Sequence, residues 1–224
     1  MLDKLFKSLR ADKPNYLGSK KGSDFEDRIE LFLRRDLSLN RINREDLDEA
    51  VWKSINNHLN DKLGEDFINL PANTLNSCYI YQPRGSQEFP DFLIFTKKKV
   101  IPLEIKYSGK KQSSPIWNSN IPKANAFYIF GSYGLSDITF FRGNDVLTSK
   151  HRKSLYSFFD SLKSVQDKFR KSMPVLDLTN RGFSPYIRAA FEQKNHKRTV
   201  CINFFSHPDR SVVERRAIEE SSRL

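Results

Sequence analysis

The pattern of charge and apolarity over residues 91–107 constrains this chain more than any other stretch. Asp91 opens an apolar run, Phe92-Leu93-Ile94-Phe95, and a second run from Val100 to Tyr107 carries Glu104 and Lys106. Successive side chains on a strand point to opposite faces. Glu104 and Lys106 therefore share one face, and Leu103, Ile105 and Tyr107 share the other. The hairpin register decides where Asp91 falls. If Asp91 faces Glu104, then Phe95 pairs with Val100 and Thr96-Lys97-Lys98-Lys99 is the loop, of a common length that needs no glycine. A slip of one residue would send the two carboxylates to opposite faces. In the favourable register Phe92, Ile94, Ile101, Leu103 and Ile105 make one continuous apolar surface. Pro102 works against it, because proline inside a strand marks an edge or a bulge, and a bulge would move the register. Two carboxylates and an ammonium on one face suit a hard divalent cation and a phosphodiester, with the lysine placed to orient or deprotonate water.

Pro90-Asp91 followed by Glu104-Ile105-Lys106 resembles the signature of the PD-(D/E)xK nuclease superfamily, and within it the type II restriction endonucleases. The likeness is tight over residues 90–106 and loose over 23–131. It implies a restriction-endonuclease-like α/β (α+β) fold, with a central mixed β-sheet flanked by helices. It implies that Asp91, Glu104 and Lys106 are catalytic. It also implies that Asp91, Glu104 and the Ile105 carbonyl bind Mg2+, for which Mn2+ would substitute. A glutamate on the first core helix often reaches the metal in that family, which nominates Glu26. Glu26 equally fits the last position of a capping box, Ser23-Asp24-Phe25-Glu26. Glu30 lies one turn on and would repel it unless a cation intervenes.

The charge balance points the same way. Lys and Arg number 38 and Asp and Glu 27, which leaves a net charge of +11. A chain so basic is expected to meet a polyanion; nucleic acid is the first candidate, double-stranded DNA by the resemblance above, and an anionic membrane the second. No apolar run approaches the length of a membrane span. The start, Met1 to Phe6, lacks a signal-peptide core. Cys78 and Cys201 stand far apart in apolar sequence and read as reduced core residues, so the cytoplasm of a prokaryotic cell is the expected compartment. No glycine-rich phosphate loop supports nucleotide hydrolysis, and no ligand spacing supports zinc.

Residues 1–22 read as a basic arm or loop, and 23–224 as a single nuclease domain. Helices are expected from Ser23, from about Arg44 to Leu63, and from Val146 to Met173. The last would turn Leu155, Phe158, Phe159, Leu162, Val165 and Phe169 inward. Strands are expected at Ser77–Gln82, Ala126–Phe130, Ile138–Arg142 and Thr199–Phe205, with a charged, helical tail after His207. DNA-recognition elements are expected in the loop 108–124 and in the C-terminal part. Lys110, Lys111 and Lys123 suit phosphates, as do Lys197 and Arg198. Gln87, Ser113 and Ser114 offer further polar contacts, and the amides of Asn118 and Asn120 can pair with adenine edges. Trp117 either anchors that loop in the core or lies on DNA. Cutting a palindrome favours a homodimer, with a monomer nicking each strand in turn as the alternative. A repair, nicking or junction-resolving nuclease, or a non-catalytic DNA-binding module, would share the same features.

Overall fold

The structure is a computed structural model. It describes residues 1–64, 66–70, 75–117, 121–176, 183–189, 191, 193 and 201–224, and for 174–176 the backbone alone. In chain order come α1 (Leu2–Ala11), α2 (Lys13–Tyr16), α3 (Gly22–Arg35), β1 (Asn40–Arg41), α4 (Glu49–Asn60) and β2 (Ile68–Asn69). β3 (Cys78–Tyr81), β4 (Phe92–Phe95) and β5 (Lys99–Ser108) follow as an antiparallel meander. β6 (Phe127–Ser132) runs parallel to β5, and β7 (Asp137–Arg142) antiparallel to β6. α5 (Gly143–Val146), α6 (Ser149–Leu176) and α7 (Arg210–Ser222) end the chain. The strands form one mixed sheet in the order β1-β3-β4-β5-β6-β7, with β2 beside the start of β5. This is the expected α+β architecture. No helix among the described residues is long and apolar enough to cross a membrane.

The hairpin adopts the favourable register. Phe92 pairs with Leu103, Leu93 with Pro102, Ile94 with Ile101 and Phe95 with Val100. Pro102 causes no bulge, and strand geometry explains why. The Ile105 N–H points toward the β4 side, and N–H directions alternate along a strand. Position 102 would thus aim its missing donor to the other side. There β2 has ended at its pairing with Val100, and β6 begins only at Leu103. No ladder bond is sacrificed.

The alternation divides the core in two. Phe92, Ile94, Ile101, Leu103 and Ile105 join Phe127, Ile129 and Phe140 against Phe25 and Ile29 of α3 and Leu2, Leu5, Phe6 and Leu9 of α1. Leu93, Phe95, Val100, Tyr128 and Phe130 face Trp52, Ile55 and Leu59 of α4 on the other side.

Several elements depart from the sequence-based expectation. Residues 2–11, expected within an arm, are helical. Leu2, Leu5, Phe6 and Leu9 fall on one stripe and are buried, a helical spacing that lysines interrupt in sequence. α3 starts at Gly22 with Lys21 before it, and Ser23 caps nothing. The second helix is shorter than expected. It starts after Asp48, whose carboxylate accepts from Ala50 and Val51 N–H, and ends at Asn60. Cys201 is exposed, whereas Cys78 is buried. Cys201–Phe205 form no strand, and Thr199 lies outside the described residues. The rings of Phe204 and Phe205 instead pack on Phe130 and Phe141, covering the sheet rather than extending it.

α6 turns only part of its apolar set inward: Leu155, Phe159 and Leu162 are half-buried. Phe158 is 57%, Val165 63% and Phe169 47% exposed. A helix of 28 residues runs about 40 Å, and its side chains meet Lys62, Pro122, Leu147 and the segment 185–191 rather than the sheet. Near its start the buried side chain is Arg152, whose guanidinium donates to the Pro122 and Leu147 carbonyls and to Asn144 Oδ1.

Candidate active site

Register, strand alternation and one helix bring four charged groups together at the Asp91 end of β4. Asp91 N–H donates to Glu104 Oε2 at 3.2 Å, and the Ile105 N–H donates to Asp91 Oδ2 at 2.6 Å. Lys106 Nζ donates to Glu104 Oε1 at 2.7 Å. Asp91 Oδ1 accepts no hydrogen bond from the described residues. A residue's N–H and C=O point to the same side of a strand. The Ile105 carbonyl therefore opens toward the gap that Asp91 borders, where β4 has already ended.

Glu26 arrives from α3. Its Oε2 accepts the Tyr81 hydroxyl at 2.9 Å, and the Gln82 amide donates to that same hydroxyl at 2.9 Å. The capping role is thus overturned, and the carboxylate is turned to the sheet. One turn on, Glu30 accepts the Tyr79 hydroxyl at 2.7 Å and pairs with Arg41 at 2.9 Å. Glu30 is neutralised there, and Glu26 faces the other two carboxylates. Tyr79 and Tyr81 were not singled out from the sequence. The signal was present: tyrosines two apart on a strand span about 6.6 Å, close to the 6 Å between helix positions four apart.

The electrostatics show strain between like charges. Burial and the neighbouring Glu104 push the Asp91 carboxyl up to about 8, with Glu26 adding to the rise, against the Ile105 N–H and Lys106. Burial also raises Glu26, helped by Glu104 and opposed by the Tyr81 hydrogen bond. A bound cation would relieve both. Among the described residues no three His, Cys, Asp or Glu side chains are grouped closely enough to hold a metal by themselves. The fitting donor set is Asp91, Glu104 and the backbone carbonyl of Ile105.

Trp117 is an anchor, 5% exposed, with its indole N–H on Gln193 Oε1 at 2.8 Å. The Lys106 ammonium lies 5.8 Å from the centre of its ring, within range of a cation–π attraction. Trp117 and Glu104 thus hold Lys106 between them, a role for Trp117 that the sequence did not suggest.

The expected DNA contacts separate into groups. Lys110 and Lys111 are exposed just past the end of β5, on a turn fixed by the Ser132 hydroxyl donating to the Lys110 carbonyl at 3.0 Å. Ser113 and Ser114 are half-buried, and the Ser113 carbonyl accepts the Phe204 N–H. Gln87 is an exposed turn residue. Lys123 is not available to a phosphate. It is 8% exposed and donates to the Asp61 carbonyl at 3.1 Å. Burial pushes its ammonium down to about 8. Its apolar neighbours Ile121, Pro122 and Ala124 draw it into the core. Asn118, Asn120, Lys197 and Arg198 lie outside the described residues. Beside Tyr81 opens a cleft of about 470 Å³ lined by Asn43, Arg44, Trp52, Gln82 and Arg84, none of which stood out in the sequence.

Compared with family models, curated proteins and solved structures, the chain matches none.

Proposed function

We propose that this chain is a type II restriction endonuclease, hydrolysing phosphodiester bonds of double-stranded DNA at one short sequence with Mg2+ or Mn2+. The observation that carries this reading is the register-dependent meeting of Asp91, Glu104 and Lys106 at an open strand end. The resemblance of Pro90-Asp91 and Glu104-Ile105-Lys106 to the PD-(D/E)xK signature agrees with it. Asp91, Glu104 and the Ile105 carbonyl would hold the ion. When bound, the ion stabilises negative charge on the scissile phosphate and on the leaving 3′-oxygen. Lys106, as an ammonium held by Glu104, would orient a water for in-line attack on phosphorus, the water's proton passing to solvent. Glu26, held by Tyr81, adds the charge of a third carboxylate near Asp91 and Glu104. The ends left are 5′-phosphate and 3′-hydroxyl. The enzyme works in the prokaryotic cytoplasm, as a homodimer that cuts both strands.

Incubation of long, unmethylated duplex DNA with the protein and magnesium tests the proposal. Discrete fragments sharing one terminal sequence are expected, and chelator should abolish them. Nicked circles or branched-substrate cleavage alone would point to a repair or junction-resolving nuclease. Binding without cleavage in either metal would leave a DNA-binding module.

Lys110 and Lys111 give a separate expectation. Each exposed ammonium meets a phosphate beyond the scissile one. Alanine at either should weaken binding to all sequences and make the salt dependence shallower by ~0.9 for each phosphate no longer neutralised. Titrations of cognate and scrambled duplexes across a salt series measure this. An unchanged slope would remove the turn from the DNA interface.

A further inference from the structure

The cleft of about 470 Å³ beside Tyr81 opens between α4, the turn 42–45 and the loop 82–88. Trp52 and Ile80, both buried, form its apolar floor. Its walls are polar. The Arg44 guanidinium lies 5.3 Å from the centre of the Trp52 ring, and the Arg44 side chain is nearly half exposed. A second planar group can therefore stack on the outer face of that guanidinium. Arg84 enters from the loop, tied to Glu88 at 2.9 Å, and Glu45 adds a second carboxylate. The half-buried Asn56 amide makes no hydrogen bond to any described residue, and Gln82 Oε1 accepts none. Two residues join the cleft to the candidate active site. Tyr81 lines it while its hydroxyl donates to Glu26, and Gln82 lines it while its N–H donates to the Asp91 carbonyl at 2.7 Å. An occupant of the cleft is thus the immediate neighbour of whatever Asp91 and Glu104 hold.

We propose that this cleft takes one unstacked nucleotide of a DNA strand, whose base is held by Arg44, Arg84, Asn56 and Gln82 beside the scissile phosphate. The inference rests on the reading of the site as one that acts on DNA, and it adds the state in which the DNA is bound. Size argues for a single nucleotide. The volume falls among small-ligand clefts of ~300–1,000 Å³, whereas a duplex, with a major groove alone ~12 Å wide, cannot enter. Charge argues for a base rather than a bare phosphate. Arg44 and Arg84 are offset by Glu45 and Glu88, so the lining has no net charge with which to draw in an anion. A neutral base uses both signs. Guanidiniums donate to its ring nitrogens and carbonyl oxygens, carboxylates accept from its amino groups, and amides do both. The layered Trp52 and Arg44 offer the stacking surface that an unstacked base of any sequence can use. A paired nucleotide must first leave its helix, so the cost of entry falls where the base is already unpaired.

Titration of the full chain, in chelator, with two duplexes of the same length tests this. One duplex is fully paired, and the other carries a single unpaired nucleotide. The second should bind more tightly by ~10-fold or more, because its base leaves the stack at least cost. Asn56→Ala with Arg84→Gln should remove that preference, leave affinity for the paired duplex nearly unchanged and keep the circular dichroism of the wild type. Each substitution alone should shrink the preference. Neither metal nor cleavage enters the readout, so the cleft and the nuclease reading fail separately. A preference for the unpaired nucleotide without cleavage in magnesium would support the cleft and remove the nuclease. Cleavage by a protein that binds the two duplexes equally would overturn the cleft alone. A preference that survives both substitutions also overturns it, because the unpaired nucleotide then sits elsewhere. Failure to bind either duplex overturns both.

Discussion

Asp91→Ala and Lys106→Ala are each expected to lower the cleavage rate by on the order of 10³-fold or more while leaving the fold intact. Neither side chain packs in the core. Asp91 lies at the mouth of the hairpin, and Lys106 spans the space between Glu104 and Trp117. The two variants should fail differently. Removing Asp91 would delete a proposed metal donor and, above about pH 8, a negative charge facing the phosphate, so metal-free DNA binding should be equal near neutral pH and tighter above it. Removing Lys106 would delete the proposed water-orienting group and the partner of Glu104, so binding in metal should persist while turnover falls. Single-turnover cleavage and filter binding, with and without magnesium, separate these cases. Turnover near the wild-type rate in either variant would refute the site. Loss of binding in both, with normal circular dichroism, would mean that the groups serve DNA affinity rather than hydrolysis.

The hairpin was legible because several local rules agreed on one register. Apolar residues alternated on both strands, the loop had a permitted length, and both carboxylates fell on one face. Pro102 looked like a conflict only until the strands beyond β5 were known, since their ends decide whether its missing donor matters. Glu26 was readable as a candidate but not as an assignment. The choice between cap and site depended on where α3 begins, two residues earlier than the Ser23 pattern implied. The failures have a common cause. Helical periodicity shows which side of α6 is apolar, but not whether the body of the protein extends far enough to cover it. Likewise a lysine in a basic loop carries no mark of its depth. Lys123 is buried because the Asp61 carbonyl, far away in sequence, completes its hydrogen bonding.

The metal-free protein should become less stable as pH rises from about 4 to about 8, and Asp91→Asn should remove much of that loss. The folded state holds the Asp91 carboxyl at about 8, against 3.8 for an ordinary aspartate, because of burial and the Glu104 charge. The folded form therefore binds this proton more tightly than the unfolded form. Below about pH 4 both states are protonated, and the contribution to stability is fully present. Between the two values the unfolded chain has released the proton while the folded chain keeps it, so stability falls with pH. Above about 8 both states are ionised, and the contribution is gone. Asparagine cannot ionise, yet its side-chain oxygen can still accept the Ile105 N–H. The substitution should thus raise the melting temperature by ~5 °C or more at pH 8.5 and by almost nothing at pH 4. Magnesium should act oppositely on the two proteins. At pH 8.5 it should stabilise the wild-type chain, where the ionised carboxylates accept it, and stabilise Asp91→Asn far less. Thermal melts across this pH range, in chelator and in magnesium, decide the matter. If the two proteins melt in parallel at every pH, Asp91 and Glu104 do not repel one another as the geometry requires. If magnesium stabilises both equally, the ion binds somewhere other than between these carboxylates.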